Sequence, residues 1–494
     1  MNKELLYSRP QKSVAALGDL AKDRHRFLDK KVLLTGETEV LETANGRDAF
    51  LFSLRLLVRI CANVSVVLPN GQAALFAEAE QLAAQIAFGK PIEFLPSANF
   101  EEFDAILSIG TSVEPGLPWT TVNSNGWRAR VSSGDLPPAG ECRAENPIGA
   151  LACSCLGVGE VFKRLIALVP ERGELLNGFS FSLYDLTADS DDCGPPLPSK
   201  IQSDLLIVGG GAIGNGIVAL LCRLPMYGAI EIVDRECFGE ENLGTCLLIG
   251  PAHLNLAKAP ALEEMLKAAG KLARGFEGPF AEYAATLDGK YPAVVLNGLD
   301  NIDVRHEVQR ALWPDLIVDG AIGDFGCQVS RHPWNEDAAC LICLFRKPVR
   351  SGEVIAVEAS GLAEDRVRQP DELVTTADVD AAPEQMREYL RARIGKPICS
   401  VVSEAVTQKI SQDAQVRGFE PSVPFVAAFS ACMVVAQAIA QIADWPPTLD
   451  TRFQFDFLQG PARGERYPEG RRKDCLCQRR TNIDRLRKVH GLGC

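Results

Sequence analysis

Residues 204–258 constrain this chain more than any other stretch. Residues 204–208 (DLLIV) form a short, continuously apolar strand. Gly209, Gly211 and Gly214 make a GxGxxG turn, and residues 213–224 read as the helix it opens into. A second strand, residues 229–233, ends on an acid, Asp234. Strand, glycine loop, helix, strand and acid is the order that sets a phosphate on a helix N-terminus and a ribose on a carboxylate. Glycine is needed because a side chain there would hold the backbone N–H groups off the phosphate. A glycine pattern alone recurs in unrelated chains; with its full context this one predicts nucleotide binding.

The same grammar runs through most of the 494 residues, a length that calls for two or three domains. Strands at 31–35, 64–68, 92–94 and 103–109 alternate with helices at 48–62 and 73–87, which predicts a parallel sheet wrapped on both faces. A hairpin follows at 120–133 around Asn125-Gly126, then a long helix within 146–168. A proline-rich break at 194–199 resets the pattern. Beyond it come strands at 204–208, 229–233, 293–296 and 316–319, with helices at 257–270 and 304–312.

The fold expected is therefore α/β, with two Rossmann-like doubly wound domains that repeat one unit. Residues 1–198 form the first, led by an amphipathic arm. Residues 199–345 form the second, 346–420 a polar insertion with a helix at 383–394, 421–480 the remainder of the second domain, and 481–494 a basic, solvated tail. At the first half's matching turn the chain reads TGETEVLETANG, where charged and β-branched side chains would crowd a phosphate. One site and one pseudo-site follow.

A net charge of −13 argues against a dedicated nucleic-acid binder. Residues 421–443 carry no charge and approach membrane-spanning length, but small residues with Ser430, Gln437 and Gln441 read more simply as a helix buried in a core. Sixteen cysteines without a secretory leader point to reduced thiols in a cytoplasm, some of them on metal.

Downstream of Asp234 stand Glu236, Asn242-Leu243, Lys258, and then Gly298-Leu299-Asp300-Asn301 with Arg305. This spacing resembles the superfamily of ubiquitin-activating enzymes and their bacterial sulfur-carrier-adenylating relatives, the ThiF/MoeB family, over about residues 200–345. The resemblance implies ATP as cofactor, with its ribose on Asp234 and its phosphates on Asn242 and Lys258, and Mg²⁺ held through Asp300 beside Asn301. Lys258 alone would read as a solvated lysine; its place relative to Asn242 and Asp300 gives it a role.

The family's N-L-x-R-Q is broken here, with Thr245 at the arginine and Cys246 at the glutamine. A threonine supplies no bidentate cation. The opening LYSRP resembles the LYSRQ of ubiquitin-activating enzymes, whose inactive half lends that arginine to the active half, so Arg9 is the candidate replacement. The first half's NGW hairpin and NPIGA helix are likewise similar to an inactive adenylation domain, which makes the chain a fused pseudo-dimer.

Cys340 and Cys343 form a CxxC, and Cys475 and Cys477 a tighter CxC. Two close pairs suit tetrahedral, structural Zn²⁺. Cys399, after the insertion and just before a helix, is the candidate thioester nucleophile, since a helix N-terminus and the nearby Lys396 favour a thiolate. Cys327 and Cys432 read as structural, and Cys494 has no assigned role. The function implied by the resemblance is activation of a ubiquitin-like protein: C-terminal adenylation, thioester formation on Cys399, then transfer to a conjugating enzyme. Compact bacterial members of this kind belong to ubiquitin-like conjugation operons, some of them antiviral. The alternatives are an adenylyltransferase for a sulfur carrier without a thioester, and an inactive binding scaffold. Whether the pseudo-dimer pairs again stays open.

Overall fold

The computed structural model describes residues 7–87, 90–110, 116–134, 144–189, 192–287, 292–334, 337–346, 352–402, 404–405, 423–483 and 490. Cys494 lies outside them. The chain packs as two compact units, Met1–Phe345 with Pro421–Cys494, and Arg346–Glu420.

In the larger unit, helix α1 (Ser8–Leu17) leads into β1 (Lys31–Gly36), α2 (Ala44–Leu57), β2 (Asn63–Val66), α3 (Ala73–Ile86), β3 (Glu93–Phe94), β4 (Ala105–Ile109), β5 (Trp119–Asn125), β6 (Arg128–Ser132), α4 (Pro147–Leu165) and β7 (Phe179–Ser182). The second half runs β8 (Ile201–Gln202), β9 (Leu205–Val208), α5 (Ala212–Arg223), β10 (Met226–Tyr227), β11 (Ala229–Asp234), α6 (Lys258–Ala268), β12 (Leu272–Glu277), β13 (Val294–Asn297), α7 (Ile302–Ala311), β14 (Leu316–Gly323) and β15 (Gly326–Pro333). After the smaller unit come α9 (Pro424–Ile442), β16 (Arg452–Asp456) and β17 (Glu465–Tyr467); the smaller unit carries α8 (Glu384–Arg391).

The first sheet has the order β3-β2-β1-β4-β5-β6-β7 and the second β12-β11-β9-β13-β14-β15-β16-β17. Strand for strand, the first seven of each follow one path: a parallel core, then an antiparallel flank. The central strands read as unbroken apolar runs because both faces are covered; all four residues of β9 are buried. In each half a long helix returns from the fifth-to-sixth strand hairpin into the core, α4 in the first and α9 in the second, and the two pack on each other. The first half makes that return within residues 133–146, whereas the second places the cysteine pair and the whole smaller unit there.

The α9 stretch is the one helix among the described residues long and apolar enough to cross a membrane, and 89% of its apolar window is buried inside the protein. Its small residues let it approach α4 and α5. Phe162 of α4 meets Phe425 of α9 at 5.4 Å between ring centroids, with Phe457 behind it at 5.0 Å from Phe425.

The helix expected at 48–62 begins earlier, at Ala44. Thr43 caps it, its Oγ1 accepting the Gly46 N–H at 3.0 Å. The turn thought to crowd a phosphate is thus itself helical, with a short helix at Thr38–Leu41.

Asp48 of α2 is buried and pairs with Arg223 of α5 at 2.7 Å. Burial pushes its pKa up to about 6, against the pull of Arg223. The folded value lies above the unfolded one, about 3.9, so this group's contribution to stability is greatest below the unfolded value and falls as pH rises to the folded one. Asp48→Asn should therefore gain stability over the parent at pH 7.5 by about 2 kcal/mol more than at pH 4.5. Urea unfolding at the two pH values measures this; a pH-independent difference would contradict it.

Candidate functional site

The glycine loop leaves β9 at Val208. Gly209 takes φ +97°, a conformation open mainly to glycine, and a Cβ on Gly214 would lie 2.0 Å from the Gly209 carbonyl oxygen. Gly211 is the N-cap of α5, and no side chain caps that end. A Cβ built on Gly211 would meet nothing within 4 Å. Gly211 and Ala212 stay half-buried at the uncapped start of a 12-residue helix, an arrangement that fits a phosphate.

Asp234 closes the loop from the side. Its Oδ2 accepts the Gly210 N–H at 2.6 Å and its Oδ1 the Glu236 N–H at 2.8 Å. Burial raises its pKa, while Lys258 and those two N–H groups pull it back. Lys258, the first residue of α6, is buried and donates to Glu236 Oε2 at 2.6 Å. Burial works against its charge, yet Asp234 and Glu236 together leave its pKa raised. The same bond from Lys258 holds the Glu236 carboxyl low. Two acids, one lysine and the loop form a single contact group.

Arg9 arrives from the start of the chain. Helix α1 packs on the tight turn Glu240–Gly244, which holds Asn242. Arg9 is buried there; burial lowers its pKa, and Cys246, Glu241, Asp300 and Glu236 oppose that. Arg9 thus feels Glu241, Asp300 and Glu236 together, while Thr245 itself is buried. Asn242 is also buried, its Oδ1 accepting the Gly239 N–H at 2.9 Å. Asp300 is exposed just past β13. Asn301 caps α7, its Oδ1 accepting the Asp303 N–H at 2.8 Å.

Beneath Asp300 lies a buried cluster that the sequence reading did not assign. Asp319, at the register position facing Asn297, accepts from Asn297 Nδ2 and, at 2.9 Å, from Arg305 Nε. Arg305 also stacks over Phe345 at 4.3 Å. Burial pushes the Asp319 carboxyl up, against Arg305. One signal was available: the strand LIVD ends on an acid just as EIVD does at Asp234.

The four cysteines converge. Cys340, Cys343, Cys475 and Cys477 are buried with all four Sγ atoms within 4.8 Å of one another. Cys340 and Cys475 lie 3.7 Å apart, and Cys343 and Cys477 3.6 Å. A disulfide needs about 2.05 Å; sulfurs tetrahedrally placed about 2.3 Å from a zinc ion stand about 3.8 Å apart. The donor set and spacing fit Zn²⁺. The tight spacing of the second pair is taken up by a 3-10 turn, Leu476–Gln478. The Arg472 N–H points at Cys343 Sγ at 3.3 Å, the kind of outer bond that steadies a thiolate ligand. Trp313 and Trp334 pack around the cluster, and His490, from the stretch read as a solvated tail, stacks on Trp334 at 4.0 Å.

Cys399 lies in the smaller unit. It is exposed in helical residues 398–402, its N–H donating to the Pro370 carbonyl at 2.9 Å. Cys327 and Cys432 are buried in the core.

Glycine loop, the acid that closes it, buried lysine and a four-cysteine cluster on a mixed α/β sheet define a ThiF/MoeB-like adenylating fold. The ThiF family model matches residues 199–478, more than half of the chain, and the chain belongs to that family. It is 26% identical over 491 residues to the uncharacterized protein y4jF of Sinorhizobium fredii (strain NBRC 101917 / NGR234), covering 94% of this chain and 92% of that one. Among solved structures, E. coli MccB with MccA-N7isoASN is similar over 56% of this chain and 67% of its own, at 12% identity and a TM-score of 0.37. The microcin C7 biosynthetic enzyme MccB with N-formylated MccA matches over the same shares at 13% and 0.37.

Proposed function

We propose that this chain is an ATP-dependent adenylating enzyme that joins the α-phosphate of ATP to a carboxylate and releases pyrophosphate. The observation that carries this is Lys258: a buried cation held between Asp234 and Glu236 beside a helix N-terminus with no side-chain cap. A phosphate entering there gains the helix N–H groups and a lysine already in place.

A carboxylate oxygen attacks the α-phosphorus as the bond to the β-phosphate breaks. Negative charge grows on the departing pyrophosphate, and Lys258, Arg9 and the α5 N–H groups offset it. Asp234 takes the ribose hydroxyls, and the Asn242 amide steadies a phosphate. Asp300, an exposed carboxylate beside the loop, is the oxygen ligand that Mg²⁺ prefers; when bound, that ion neutralises phosphate charge. Zinc at the four cysteines is structural, because four thiolates leave no open position.

The acceptor is the C-terminal carboxylate of a small protein of the ubiquitin-like or sulfur-carrier kind, a reading that rests on the family resemblance. The matched strand order supports reading residues 1–198 as an inactive copy of the adenylating domain within one pseudo-dimeric chain. The exposure of Cys399 favours a second reading, in which its thiol receives the acyl group as a thioester for a conjugating partner.

ATP–pyrophosphate exchange with candidate ubiquitin-like and sulfur-carrier proteins tests both, with non-reducing gels run alongside. Exchange is expected in the parent and in Cys399→Ala alike. A thiol-sensitive adduct present in the parent and lost in Cys399→Ala would add the thioester step. A chain that neither binds ATP nor supports exchange with any candidate would sink the adenylation reading and leave a scaffold.

A further inference from the structure

Arg59, in the turn just beyond α2, is wholly buried. Its hydrogen-bond partners among the described residues are all main-chain carbonyls. Nε donates to Cys246 at 3.0 Å, Nη2 to Ile249 at 2.7 Å, and Nη1 to Arg55 in the last turn of α2. Burying a guanidinium on carbonyl dipoles alone is a costly way to stabilise a core. Position explains it better.

The segment that Arg59 grips is wired into the nucleotide site. The Cys246 N–H donates to the Asn242 carbonyl at 2.8 Å, so the residue whose carbonyl Arg59 holds is itself bonded to the Asn242 turn. The Leu248 N–H donates to Asn215 Oδ1 at 3.3 Å, and Asn215 Nδ2 donates to the carbonyls of Gly210 and Gly211 at 2.9 and 3.1 Å. That path ends in the glycine loop. On the other side, the Tyr7 hydroxyl donates to the carbonyls of Val58 and Cys61 at 3.3 and 3.4 Å, bracketing Arg59, and Arg9 lies two residues further along.

We propose that Arg59 is a positioning residue for the nucleotide site, and that the end of α2 sets the spacing between the Arg9 arm, the Asn242 turn and the glycine loop. The ligand named here rests on the adenylation reading; the coupling does not. The half of the chain without a glycine loop is thereby given a task, which is to hold the other half's site in shape.

Arg59→Lys keeps the charge but loses the planar fork that spans the Cys246 and Ile249 carbonyls; Arg59→Gln is the neutral companion. Arg223→Gln breaks the Arg223–Asp48 pair, another link between the same two halves, without touching the 246–249 segment. MgATP affinity by calorimetry and hydrogen exchange of the ligand-free protein over residues 7–17 and 238–250 are the readouts. Arg59→Lys should weaken MgATP by about 10-fold or more and speed exchange in both segments together, with Arg223→Gln within about 2-fold of the parent. Parent-like affinity and exchange in Arg59→Lys overturn the proposal. So does an equal loss in Arg223→Gln, which would mean general loosening. A parent that binds no ATP defeats the adenylation reading, while exchange in the two segments still decides whether Arg59 couples them.

Discussion

Lys258→Ala is expected to lower ATP–pyrophosphate exchange by about 10³-fold, at the upper end of what one electrostatic donor contributes. The reason is the company the lysine keeps. With it, Asp234 and Glu236 are two acids around one cation; without it, they are two acids facing a polyphosphate. The variant therefore loses an attraction and gains a repulsion. Much of that effect should appear as weaker MgATP binding, because the ammonium is in place before any ligand arrives. Lys258→Arg is not a rescue, since the side chain is buried and a longer, planar group does not fit the same contact. Exchange within about 3-fold of the parent would remove Lys258 from the site; that threshold sits far below the loss expected of such a donor.

Cys343→Ser should release about one equivalent of zinc per chain, read by metal analysis of the purified protein. Cys343 lies 3.6 Å from Cys477 and accepts the Arg472 N–H, so its loss removes a ligand and orphans a donor. A drop of about 3–5 kcal/mol in stability is expected, well below the roughly 10–16 kcal/mol that zinc contributes to small finger peptides, because here Trp313 and Trp334 also pack the region. Pyrophosphate exchange should largely survive, since a closed four-thiolate site holds no substrate. A parent protein without zinc, its four thiols freely titratable, would refute the assignment.

Parallel order, glycine loop, the acid that ends the second strand and paired cysteines were all legible in the chain because each is local: a run of apolar residues, a fixed spacing, a short motif. Asn301 shows how much spacing leaves out. Beside an acid at a strand end it reads as a ligand, and the helix that follows also uses its side chain as a cap. Arg59 was not legible at all. In LLVRICA it reads as a lone charge on an apolar helix, and nothing nearby announces carbonyls 187 and 190 residues away. The Arg305–Asp319 pair lies between these cases, since both ends sit in recognisable positions, but one is on α7 and the other on β14 and only the fold brings them together.

The return from hairpin to core helix has a consequence for how chains of this design can grow. In the first half it spans a dozen or so residues from β6 to α4; in the second, the matching return from β15 to α9 accommodates Arg346–Glu420. Lengthening a closed connection several-fold costs only about 1–2 kcal/mol of chain entropy, and less once the added length folds on itself. No strand pairing is interrupted, because both ends of the connection are already anchored, one in the sheet and one in the helix layer. The architecture therefore offers a port for modular expansion in each half, and this chain has filled one. The first half's short return marks the other as vacant, the natural place for a lineage, or an engineer, to seat a second accessory module.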